Sequence, residues 1–289
     1  MLIKTGGEKM GKIKKINFIM LAIAAVAVVL ACMVPILMAE SVTPTVEEQT
    51  EQVSGDRSAD VDEEALKILR KATDYLTSLE RFRLKSATVM DVVQESGQKL
   101  QFGSTMELTV KRPNRLFGLR TFDDGKIRRF WYDGANATIY NEKENVYGRI
   151  PVPDTIDEML DYLEEVIENP RPLADLLYSD LSHLSDLAVS GAYLGESYLE
   201  GIACDHLAFR GESVDWQVWV DRGEKPLIRK VVITYKELPG EPQLIGHLEN
   251  WDIQPEITDS LFQFSIPKGA QQIRVVVLQK GDDVKGGAK

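Results

Sequence analysis

Between Gly97 and Pro153 the chain repeats one unit, a run of β-branched and aromatic residues closed by a cluster of Gly, Asn, Asp or Pro. The segments are GQKLQFGSTMELTVKRP, NRLFGLRTFDDG, KIRRFWYDG, ANATIYNEKEN and VYGRIPVP. That spacing predicts antiparallel strands joined by short turns. The series Phe102, Ser104, Met106, Leu108 and Val110 keeps a period of two, so one face of the sheet is expected to be buried. A face this long needs a cover, and no helix interrupts the run to supply one.

The cover is expected just downstream. Thr155-Ile156-Asp157-Glu158 is a capping-box pattern, with Thr155 as N-cap and Glu158 reaching back. The helix it opens puts Ile156, Met159, Leu160, Leu163, Val166 and Ile167 on one side, and Asp157, Glu158, Asp161, Glu164, Glu165 and Glu168 on the rest. Pro170 ends it. Leu173, Leu176, Leu177, Leu181, Leu184 and Leu187 predict a second helical stretch, broken near Asp180. Upstream, Val61 to Leu79 reads as an amphipathic helix, with Asp60 placed to cap it. After Gly191, strand spacing returns through Tyr193, Tyr198, 202–209, 214–220, 227–235, 243–253, 261–266 and 273–278. Helix then sheet, without β-α-β alternation, predicts an α+β fold. Roughly ten or more strands make a single large curved antiparallel sheet, open and covered on its concave side by a few helices.

The first 39 residues carry five lysines against Glu8, a net of +4, so the remainder of a chain of net charge −11 carries −15. So acidic a body is expected to repel nucleic acid, and no nucleic-acid partner is expected. Phe18 to Ala39 is free of charge over 22 residues and predicts an N-terminal hydrophobic helix. It reads as an uncleaved anchor, as a signal peptide cut after Leu37-Met38-Ala39, or, through Val29-Leu30-Ala31-Cys32, as a lipobox with Cys32 acylated. All three readings export the body to the periplasm or cell envelope. The expected organisation is a signal peptide or membrane anchor over 1–39, an acidic tether over 40–60, one domain over 61–279 and a tail over 280–289. With Cys32 in the membrane or removed, Cys204 has no disulfide partner.

Two resemblances follow. Leu108-Thr109-Val110-Lys111-Arg112-Pro113-Asn114 with Leu116-Phe117 resembles the strand-end motif of periplasmic lipoprotein carriers of the LolA type. Asp133-Gly134 with Ile139-Tyr140-Asn141 is similar to their hairpin, and Phe262 to Gly269 to their closing strand. A more specific likeness is to a family of exported proteins of unknown function, predicted periplasmic proteins, through GQKLQF, RPNRL, FWYDG, PLADLLYSD, HLAF, DWQVW and KVVITYK. The second brings no activity. The first implies an incomplete β-barrel lidded by helices around a hydrophobic cavity for a lipid or acyl chain, with no catalysis and no cofactor. It implies that Arg112 latches the lid. The sheet wall of that cavity would be Leu108, Val110, Phe117, Phe130, Tyr132 and Ile139. The lid side would be Met159, Leu160, Leu163, Leu173, Leu176 and Leu177.

Other groups invite chemistry less strongly. Cys204 and His206 share a face if they lie on a strand, with Asp205 on the other. A zinc site needs three or four ligands, and a buried thiol beside a hydrogen-bonded His is the plainer expectation. Asp157, Asp161 and Glu165 recur at i, i+4, as a solvated helix face or a docking surface for a basic protein partner. Trp216 and Trp219 must face opposite sides of a strand. No Gly-rich phosphate loop or nucleophile elbow is present.

Overall fold

Arg81–Val93 (β1) and Lys99–Lys111 (β2) pair antiparallel over their whole length, turning at Gly97, whose φ of +81° suits a residue without a Cβ. The meander continues through Arg115–Phe122 (β3), Ile127–Tyr132 (β4), Asn136–Asn141 (β5) and Val146–Pro151 (β6). A second meander, Ser190–Leu199 (β7), Ile202–Arg210 (β8), Val214–Asp221 (β9), Ile228–Tyr235 (β10) and Gln243–Asp252 (β11), returns so that β11 pairs with β1. The two-residue Gln271–Gln272 (β12) adds in parallel to β6. The result is one unclosed twelve-stranded sheet in the order β12-β6-β5-β4-β3-β2-β1-β11-β10-β9-β8-β7. This computed structural model describes residues 61–166 and 173–275. The expected anchor, tether and tail, with Cys32, Asp60, Ile167 and Glu168, lie outside the described residues.

Helices cover one face only. Glu63–Ser78 (α1) is capped by Asp62, which accepts from Glu64 N at 2.9 Å and from Tyr193 N at 3.1 Å. Asp62, two residues later than the expected Asp60, therefore both starts the helix and ties it to β7. Ala65, Leu69, Ala72 and Leu76 are buried toward β7–β9. Ile156–Val166 (α2) starts at the predicted capping box, with Glu158 N donating to Thr155 Oγ1 at 3.2 Å. The leucine-rich stretch is shorter than expected, a 3-10 turn at Ala174–Leu177 and a single helical turn at His183–Asp186 (α3). Leu181 between them is 2% exposed, so its burial, not helix continuity, fixes the path.

Directly paired residues share a face, so the register divides the concave side of the first meander into rows. The first row, Phe82, Val110, Leu116, Tyr132 and Ala137, crosses five strands with exposures between 0% and 5%. Two residues further on lie Leu84, Leu108, Gly118, Phe130, Ile139 and Gly148. Two more bring Ser86, Met106, Arg120, Arg128 and Asn141. The concave face thus runs from apolar to polar in about 13 Å, at ~3.3 Å per residue.

The convex face carries its own cover. The Phe262–Gly269 segment is not the expected strand: Phe262 closes a 3-10 turn, Asp259–Phe262, and the chain then crosses the outer face. Phe264 packs on Trp131 and Tyr147, with centroids 5.0 Å away in each case. Its aromatic side chain seals this side of the meander without ladder hydrogen bonds.

Candidate functional site

The end of β2 and the first turns of α2 both bond to three consecutive residues of the cover, Leu177, Tyr178 and Ser179. Arg112, at the end of β2, donates from Nη1 to Leu177 O at 2.6 Å and from Nη2 to Tyr178 O at 3.2 Å. A planar guanidinium with five donors can satisfy the end of a helical turn in this way. Burial pulls the Arg112 pKa down while nearby Asp157 pushes it back up. From α2, Asp157 accepts from Ser179 N at 3.1 Å and from Ser179 Oγ at 2.5 Å. One turn on, Asp161 accepts from the Tyr178 hydroxyl at 2.9 Å. Burial, and then this bond to a carboxylate, raises the Tyr178 pKa. A single clasp therefore joins β2, α2 and the 177–179 segment.

The entry to α2 is fixed on the same side. Tyr132, fully buried, donates to Pro153 O at 2.7 Å, and burial with the nearby Asp154 charge pushes its pKa up to about 12. Ile156 N donates to Pro113 O at 2.8 Å, beside the cis Arg112–Pro113 bond. Sheet and lid thus share the turn that carries Arg112.

Beneath the clasp lies a continuous apolar core. Leu108, Val110, Tyr132, Met159, Leu160 and Leu163 are all below 8% exposure, and Leu177 is at 9%. Phe130, Leu173 and Leu176 pack against them, half-buried. The space between sheet and lid is occupied by the protein's own side chains. Leu173 takes a left-handed backbone, φ +68°, and sets its Cδ1 where a Cβ on Gly246 of β11 would stand 2.7 Å away. A bulky residue in that region costs about 1–3 kcal/mol, held here by the packing.

Two expected lining residues lie elsewhere. Phe117 is on the convex face, because it alternates with the inward Leu116; its ring sits 5.5 Å from Trp131. Ile139 is on the concave face but 44% exposed, beyond the reach of the lid. The acidic ladder on α2 is also less free than expected, since Asp157 and Asp161 are bonded within the chain.

The Cys204–His206 pair faces the convex side. Cys204 is fully buried, and burial pushes its thiol up to about 11, which suppresses the thiolate a nucleophile needs. His206 stacks on Trp219 at 4.0 Å and shares a 3.0 Å hydrogen bond with Gln217. Trp216 packs with the concave core and Trp219 with the convex cluster, on opposite faces as alternation requires. Among the described residues no group of His, Cys, Asp or Glu is placed to hold a metal. No helix of the described residues is long and apolar enough to cross a membrane.

The fold is thus an open, almost wholly antiparallel sheet, covered on its concave side by a few helices and tied to them through a strand-end Arg. Residues 65–276 match the DUF2092 family of predicted periplasmic proteins, and the chain belongs to that family. It is an exported protein of the periplasm or cell envelope. Similar solved structures include the lipoprotein LppX of Mycobacterium tuberculosis, at 12% identity and a TM-score of 0.45 over 68% of this chain and 98% of that one. LprF of Mycobacterium bovis is similar at 12% identity and 0.41, over 73% and 99%. The MucA/MucB complex of Pseudomonas aeruginosa is similar at 12% and 0.41, over 70% of this chain and 61% of that one. Scores of this size carry no argument about ligand or activity. No functionally curated protein matches the chain.

Proposed function

We propose that this is a non-enzymatic envelope protein that holds an alkyl chain of a lipid or lipoprotein between its curved sheet and its lid. The observation that carries this reading is the clasp. The lid rests on the apolar rows of the concave face, yet it is fastened at its rim by polar bonds to one three-residue segment. Release of Arg112 from Leu177 O and Tyr178 O, and of Asp157 from Ser179, frees the 173–188 segment and lifts Leu177 from the apolar rows that Met159 and Leu163 continue to roof. Hydrogen bonds from a charged donor are worth roughly 1.5–3 kcal/mol each. Burial of about ten methylenes returns ~8 kcal/mol, so an acyl chain can offset the opened clasp and part of the displaced leucine packing. Arg112 is the latch in this scheme.

The alternative, an anchored module docking a basic protein through α2, loses two of its three carboxylates to the clasp. Native mass spectrometry of the full-length chain with palmitate tests the first reading. Discrete one-to-one adducts are expected; a chain that stays empty at saturating palmitate would overturn it.

A further inference from the structure

The far end of the concave face has chemistry that the lid does not use. Arg120 on β3 and Arg128 on β4 are direct cross-strand partners, so two cations stand side by side on the concave surface. Like charges in that position destabilise a sheet. In a chain with 45 acidic and 34 basic residues, carboxylates to relieve them are plentiful. Arg129, Arg149, Arg210, Arg222 and Arg229 each meet one. Among the described residues no carboxylate pairs with Arg120 or Arg128. Arg120 gives its Nε to Ser104 Oγ at 3.0 Å, and its guanidinium lies 4.9 Å from the centre of the Phe122 ring. Arg128 lies 5.1 Å from the same ring. Burial, and then Arg128, lowers the Arg120 pKa.

The route between this pair and the lid is apolar. Phe130 and Ile139 lie between them, and Gly118 has no side chain, so Met106 Cε fills the space a Cβ would take, 2.8 Å from it. A thioether is the side chain best able to move from such a gap. Phe102, 54% exposed, and Ile139, 44% exposed, leave the floor of this end open.

We infer that Arg120 and Arg128 bind the anionic headgroup of the amphiphile whose tail enters over Gly118 toward the clasp. This rests on the alkyl-binding reading above and adds to it the ligand's charge and direction. The two guanidiniums supply the forked donors that a phosphate or carboxylate needs, on an apolar floor that strengthens them.

Native mass spectrometry titrations of the full-length chain compare palmitoyl lysophosphatidylglycerol, monopalmitoylglycerol and inorganic phosphate. The wild type is expected to bind the lysophospholipid at least ~10-fold more tightly than the uncharged lipid, and phosphate alone far more weakly. In R120Q/R128Q that preference should vanish while monopalmitoylglycerol binds as before. The exposed single change Arg128→Glu, which leaves Arg120 in place and introduces a partner for it, should reverse the preference and guards against misfolding of the double variant. Equal wild-type affinity for the two lipids, or a preference that survives R120Q/R128Q, would overturn the headgroup site and leave the alkyl reading standing. Phosphate as tight as the lysophospholipid would make it a free-anion site and overturn the inference. Failure of both lipids to bind would overturn both readings.

Discussion

The two ends of the concave face are built from the same strands and differ in everything else. At one end the row from Phe82 to Ala137 is apolar, almost without exposure and roofed by Met159, Leu163 and Leu177. Four residues along the same strands, the row from Ser86 to Asn141 holds two neighbouring arginines and opens onto exposed Phe102 and Ile139. On the proposed reading, the gradient matches a ligand with two chemically distinct parts, whose apolar part is admitted by opening the roof.

Truncations at the two ends should separate them most strongly. Met159→Ala deletes a fully buried side chain from the roofed end and should cost about 2–5 kcal/mol by urea unfolding. Phe102→Ala at the bare end should stay within about 0.5 kcal/mol. Comparable losses at both ends would break the contrast. Next in size, Arg112→Met removes two bonds and strands two carbonyls, for a loss of about 2–4 kcal/mol. Hydrogen exchange should then accelerate at 173–188 while the β1–β2 ladder keeps its protection. Uniform acceleration would mean that Arg112 supports the whole fold and not the lid. The smallest effect carries the opposite sign. Arg128→Gln relieves a like-charge pair and should raise stability by about 0.2–1 kcal/mol, seen as a higher Tm. A lower Tm would show that its stacking on Phe122 outweighs the repulsion.

Much of this was legible in the chain. Period-two patterning with turn residues yields the meander, and Thr155 with Glu158 marks the start of α2, because both signals are local. The resemblance pointed to Arg112 as a residue reaching the lid, and its bonds to Leu177 O and Tyr178 O have that geometry. What escaped depends on pairs distant in sequence. Asp157 and Asp161 read as a solvated ladder because Ser179 and Tyr178 lie 22 and 17 residues away. Phe117 reads as a neighbour of Leu108 and Val110 on the cavity wall, but the register pairs it with Thr109, on the other face. The arginine pair had a usable signal: Arg120 and Arg128 are symmetric about the Asp123–Asp124–Gly125 turn, so registering that hairpin alone places them side by side.

Hydrogen exchange of the full-length chain with and without palmitoyl lysophosphatidylglycerol tests the division of the concave face most directly. The expected result is a change confined to two places, the lid residues 173–188 and the β3–β4 hairpin around Arg120 and Arg128, with β7–β9 unaltered. Binding that protects β7–β9 and leaves both of those places unchanged would contradict it.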